Sequence, residues 1–284
     1  MKTRNGTFYL LMVPVLLWLL ILLVIPHLDM FFRSFRFEND DGLMVFSLNN
    51  YLSFFEDKIY WLTFVKTAVY SIGVTFLAFV VTFPVAFYLT KVVAKKYTSF
   101  MVLLLLIPIW IGELVTIYGW MILLSDNGVI NNFLIRIGII DTPITMLYNN
   151  FSMTVGLLYM SMLFMIIPMM SALESLDDSL IEAASDLGAS KWTIFRQIII
   201  PYTTPGIASG GIIVFMLIIG DYVAPNILGG KSSLWFTEQI YNKFLATFNW
   251  NEGAAFGFLL LMLSSTIIWI ALKLTGQKLE RVGS

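Results

Sequence analysis

Two acidic residues in this sequence need a chemical explanation: Glu113 and Asp221 each sit inside or at the edge of a long apolar stretch. A charge at the centre of a bilayer costs about 3 kcal/mol or more, so such groups usually face an aqueous path or a partner. Trp110, Tyr118 and Trp120 lie near Glu113, and Tyr222 follows Asp221. Carboxylates beside aromatic rings suit an organic cation through charge pairing and cation–π attraction, and they repel phosphate, sulfate or thiosulfate. Trp110, Glu113, Tyr118, Asp221 and Tyr222 are therefore candidates to line a cation pathway. A structural reading competes with this one. The carboxylates could pair within the chain or with a partner, Asp221 could cap a short outer helix, and Trp and Tyr anchor span ends at interfaces in any case. Lys66, near the outer end of its own apolar stretch, can extend its ammonium to the interface.

Other chemistries are excluded by what is missing. There is no cysteine and one histidine, His27, so thiolate sites, cysteine nucleophiles and histidine metal clusters cannot be built. No catalytic or metal site is expected, and no paired motif supports an acid dyad from Glu113 and Asp221. The chain lacks a GxxxxGK[ST] phosphate loop, so it cannot bind ATP in that manner. A net charge of -1 gives no basis for a nucleic-acid partner.

The elements that must position the two carboxylates are membrane helices. Of 284 residues, 58% are hydrophobic and 12% charged, which places the chain in a bilayer. A crossing needs about 20 apolar residues. Six stretches qualify, over about 8–29, 62–90, 98–125, 151–173, 205–227 and 253–274. The expected fold class is thus an all-α membrane protein of six transmembrane helices, forming one domain over 1–284. The first stretch could be a signal peptide, but its apolar core is long and no small-residue cleavage pattern follows, so an uncleaved helix is expected. Lys2, Arg4, Lys91, Lys95, Lys96, Lys191, Arg196, Lys273, Lys278 and Arg281 collect on one side, which puts both termini in the cytoplasm. Outside, Asn39, Asp40, Asp41 and Gly42 mark a turn, followed by an amphipathic stretch around Tyr51, Phe54 and Phe55 expected on the membrane surface. Gly220, Pro225, Gly229 and Gly230 mark a helix break. An ion-coupled secondary transporter is a rival architecture, but no related halves are visible.

The cytoplasmic loop of about 174–204 carries SLIEAASDLGASKWTIFRQIIIP from Ser179 to Pro201. Ser179 and Glu182 have capping-box spacing, Gly188 can close the helix in the left-handed region, Ser190 can cap a second helix, and Pro201 is expected to end it. Taken alone, Glu182 reads as a cap and Ala183 and Ala184 as close-packing residues. The spacing of Glu182, Ala183, Ala184, Gly188, Ile198 and Pro201 resembles the EAA loop of ABC-importer permeases, with Ile200 where Leu is usual. That resemblance implies a type I importer permease whose loop is a coupling helix seated on an ATPase subunit. It also implies two copies of that ATPase, which bind the ATP and Mg, a second permease subunit and a periplasmic or extracellular substrate-binding protein, all at a bacterial inner membrane.

Three further stretches resemble spermidine/putrescine-type permeases: IPIWIGELVTIYGWMILLSDNGVINNFL from Ile107 to Leu134, PITMLYNN from Pro143 to Asn150, and GDYVAPNILGG from Gly220 to Gly230. This likeness implies a polyamine or related small organic cation as cargo and a nonidentical partner permease. Relatives moving ferric iron, thiosulfate or phosphonates share parts of the pattern, so an anion or iron stands as the alternative cargo.

Overall fold

The computed structural model describes residues 3–39, 41–230 and 233–276. Lys2, Asp40, Lys231, Lys278, Arg281 and the side chain of Arg4 lie outside the described residues. In chain order, α1 (Thr3–Leu19) passes through a π turn into α2 (Ile25–Ser34). A short hairpin follows, β1 (Arg36–Glu38) and β2 (Met44–Phe46), paired antiparallel with Phe37 opposite Val45. Then come α3 (Asn49–Glu56), α4 (Lys58–Phe87), α5 (Lys95–Leu106), α6 (Glu113–Leu124), α7 (Val129–Arg136) and α8 (Asn150–Glu174). The chain ends with α9 (Asp178–Asp186), α10 (Lys191–Ile194), α11 (Ile200–Gly220), α12 (Phe236–Leu245) and α13 (Trp250–Leu274).

Among the described residues, five helices are long and apolar enough to cross a membrane: Leu11–Ser34, Lys58–Val92, Asn150–Glu174, Lys191–Gly220 and Trp250–Leu274. A sixth crossing exists if Lys95–Trp110 and Glu113–Arg136, bent by 95° at their junction, count as one. The stretch expected to cross over about 98–125 is thus bent in the structure. Pro108 has no N–H to continue the ladder, the chain tightens into a 3-10 turn at Ile107–Trp110, and Gly112 starts α6 from an extended conformation. Pro201 corrects a second expectation, because it ends nothing. The π turn Phe195–Ile199 shifts the hydrogen-bond register just before it, and proline falls in the first turn of α11, where a missing amide costs little. The fifth crossing accordingly begins at Lys191 and stops at Gly220, where Asp221 turns extended, short of 227.

The residues group into two compact units. One takes the chain up to Phe64 together with Glu238–Met262. Here, in the stretch expected on the membrane surface, Phe54 is buried edge-on against the Phe64 and Phe256 rings, and the Tyr51 hydroxyl donates to Ser34 Oγ at 2.8 Å, while Phe55 faces outward. Asn39 Oδ1 accepts from the N–H groups of Asp41 and Leu43, which shapes the hairpin turn. Glu252, 8% exposed, holds the unit's main polar network. It accepts from Lys243 at 2.7 Å, Asn249 Nδ2 at 2.9 Å and Ser53 Oγ at 3.2 Å.

Burial works against the Lys243 ammonium, but its hydrogen bonds to Glu252 and Tyr60 outweigh this and raise its pKa above the ordinary lysine value. A raised pKa contributes stability that is complete below the unfolded value and lost as pH climbs through the folded one, so the Lys243 contribution is lost on the alkaline side of the lysine range. Glu252→Gln strands the Lys243 charge and is expected to lower stability by about 2 kcal/mol, read as a drop in thermal midpoint of the detergent-solubilised protein.

The second unit takes Val65–Thr237 and the chain from Leu263. Its centre is the packing of α8 on α11. A Cβ at Gly206 would stand 2.5 Å from Ala172 Cβ and from the Pro168 carbonyl oxygen, and one at Gly210 would stand 2.8 Å from Met165 Sδ. Around this contact lie the buried Met153, Leu157, Met169, Leu173, Val214 and Ile218. The Lys66 ammonium donates to the Ser233 carbonyl and ties α4 to the extended segment before α12.

Candidate functional site

The 95° break places Glu113 as the first residue of α6, and the end of α11 places Asp221 and Tyr222 directly after Gly220. These three residues share one cavity of about 450 Å³. Its wall also includes Leu157, Met160, Ser161 and Phe164 of α8 and Leu217 and Ile218 of α11. Among the described residues no basic side chain lines it and neither carboxylate enters an ion pair. A cavity with two carboxylates, a phenol, a hydroxyl and one phenylalanine ring attracts cations and disfavours anions.

Asp221 also has the structural role weighed for it. Its Oδ1 accepts from the N–H groups of Val223 at 2.7 Å and Ala224 at 3.2 Å, capping the turn that runs into the π-helical Pro225–Gly229. Its carbonyl accepts from Thr237 Oγ1 at 2.6 Å. Trp110 and Tyr118 are not brought to the cavity. Trp110 is 91% exposed at the break and Tyr118 is exposed on α6. The α8 residues of the wall carry no charge signal. Leu157, Met160, Ser161 and Phe164 follow a helical i, i+3, i+4, i+7 stripe, which was the available clue.

The loop after α8 is built around one short helix. Its cap is Asp177, whose Oδ1 accepts from Ser179 N–H at 3.0 Å, and this corrects the expected Ser179–Glu182 box: an acidic side chain one residue outside the helix reaches the free amides first. The Ser179 N–H and hydroxyl hold the Asp177 carboxyl below its ordinary pKa, with the Lys91 charge adding to them. α9 closes on Gly188, at φ +80°, with Gly188 N–H donating to Ser185 and Ala189 N–H to Ala184. Those two bonds form a Schellman motif. Ser190 Oγ accepts from Thr193 N–H at 3.2 Å and starts α10.

Glu182, Ala183, Gly188 and Pro201 are exposed, whereas Ala184 and Ile198 pack onto the core of the unit. Leu187 and Trp192 are also exposed, at 89% and 67%, and make the loop apolar where it meets solvent. Gly188→Ala must hold a Cβ in the left-handed region at a cost of about 1 kcal/mol, so amide exchange across 178–190 is expected to quicken by about fivefold, with Gly188→Asn closer to the unmodified chain.

Residues 79–281 match the family of binding-protein-dependent transport system inner membrane components. The spermidine/putrescine transport system permease protein PotB of Escherichia coli (strain K12) is 34% identical over 95% of this chain and 99% of its own. The permease protein PotC of the same organism matches a shorter stretch, 37% identical over 79 residues, which is 28% of this chain and 30% of PotC. Among solved structures, a bacterial alginate ABC transporter in complex with its pentasaccharide-bound periplasmic protein aligns at TM-score 0.78 over 98% of both chains. At 19% identity that likeness carries the fold and not the cargo. A core of α8 on α11, a glycine-closed loop helix and a full-length third-identical relative agree, and the chain belongs to the binding-protein-dependent transport system inner membrane components, as a multi-pass permease of the ABC importer class.

Proposed function

We propose that this permease moves a polyamine, spermidine or putrescine or a close organic cation, inward across the bacterial inner membrane. The observation that carries the reading is the cavity where Glu113, Asp221 and Tyr222 meet with no basic residue among the described lining. Relatives named for spermidine and putrescine at full-length coverage support the same cargo. Two carboxylates match the repeated ammonium groups of a polyamine, and the aromatic side chains attract its cations through their faces.

The chain is read as one transmembrane permease domain of six crossings, with both termini and the loop of about 174–204 in the cytoplasm. It carries no catalytic group and no cofactor. Two copies of a separate ATPase subunit hold the ATP and Mg and seat α9, whose exposed Glu182, Ala183, Leu187 and Gly188 form the contact. A second, nonidentical permease completes the pore, as the distinct PotB and PotC proteins suggest, and an external binding protein delivers the cargo. ATP-driven closure of the ATPases draws the two coupling helices together and opens the pathway outward; hydrolysis resets it.

The test is ATPase activity of the reconstituted complex with its binding protein. Spermidine or putrescine should stimulate it, and thiosulfate or ferric iron should not. Stimulation by an anion alone would discard the cation reading.

A further inference from the structure

Lys91, in the π turn Tyr88–Val92 that ends the second crossing, is placed where the coupling loop begins. Its ammonium donates to the Leu176 carbonyl and to Asp178 Oδ1, both at 2.6 Å, and its side chain is 9% exposed. Leu176 precedes the α9 cap Asp177, and Asp178 is the first residue of α9, so one cation grips the chain on both sides of the cap. A second tie, Tyr202 hydroxyl to the Ser175 carbonyl at 2.8 Å, fixes the same stretch to α11. The Asp178 side chain is 71% exposed, and an ion pair of that kind adds little stability. Its geometry, by contrast, is specific, because a charged donor bonded at two points leaves the start of α9 little freedom relative to the end of α4.

We propose that Lys91 is a positioning residue for energy coupling, a strut that passes displacement of α9 into α4. Lys95, Glu174 and Asp177 line the same cavity of about 520 Å³, yet the two short contacts belong to Lys91. Without the strut, α9 still docks and the ATPase still turns over, but its motion is spent in the loop. The inference rests on α9 as the ATPase-contact helix, so its test includes a readout that needs neither cargo nor hydrolysis.

The chain has no cysteine, so Val92→Cys and Ser185→Cys place a pair of spin labels across the strut in the assembled complex. Lys91→Met should widen the distance distribution about twofold and lower polyamine uptake per ATP hydrolysed about fivefold, in the range of mutations along coupling networks. Lys91→Arg, which keeps the charge and its donors, should retain both values. If Lys91→Met fails to assemble, Asp178→Asn keeps the Leu176 bond and should shift both readouts in the same direction by less. An unchanged distance distribution, or unchanged uptake per ATP, overturns the strut. A complex that shows the widened distribution but takes up no polyamine discards the cargo reading and leaves the strut standing.

Discussion

Asp221→Asn is expected to cut polyamine uptake about tenfold while the protein remains folded, because it removes one charge-assisted contact, typically about 1.5–3 kcal/mol, and keeps the cap. Asparagine Oδ1 can still accept from the Val223 and Ala224 N–H groups, as Asp221 Oδ1 does at 2.7 and 3.2 Å. Asp221→Ala loses both roles and should lower stability by about 1 kcal/mol as well as uptake. The pair separates pathway from cap: if Asn transports normally and only Ala is impaired, Asp221 is a helix cap and nothing more.

Glu113 has no such cap to protect. Glu113→Gln should again cost about tenfold, and Glu113→Lys, which puts a cation where the cargo must pass, about a hundredfold or more. Uptake into proteoliposomes, with binding-protein-stimulated ATPase measured in parallel, is the assay. A Glu113→Lys protein that transports polyamine normally would rule the cavity out as the pathway.

Gly206→Val should be the most damaging single change to the fold. Its Cβ alone would meet Ala172 Cβ and the Pro168 carbonyl oxygen at 2.5 Å, and one of those contacts is backbone that no rotamer change can relieve. Helices α8 and α11 must then separate along the centre of the core, at or beyond the roughly 3 kcal/mol end of ordinary overpacking. Gly210→Ala meets the flexible Met165 Sδ first and should cost less. Thermal denaturation with yield of assembled complex distinguishes them. A Gly206→Val protein as stable as its parent would mean that α8 and α11 do not approach as described. Gly206 and Gly210 have the GxxxG spacing of close helix pairs, a signal in the sequence that attention to charge passes over.

Much of this protein is legible without coordinates. Apolar run length and scarce charge dictate membrane helices, because hydrocarbon leaves the backbone few other ways to satisfy its hydrogen bonds. Gly188 and Ser190 foretell the two-helix loop, since a left-handed closure and a side-chain cap are local properties of residue type. The EAA spacing from Glu182 to Pro201 likewise points to the importer family that residues 79–281 match.

Tertiary structure decided what depends on residues distant in sequence. Pro108 and Pro201 look alike as helix breakers, yet one falls at a 95° bend and the other inside a continuous crossing, because a π turn ahead of Pro201 absorbs its missing donor. Trp110 and Glu113 are three residues apart, but the bend sends Glu113 to the cavity and leaves Trp110 outside. Lys91 reads as one more cytoplasmic positive charge until the fold sets it against Leu176 and Asp178, more than eighty residues away. Composition determines the solvent a segment prefers and local chemistry determines where helices start and stop. Which side chains meet depends on how whole helices pack, and that was readable only from the folded chain.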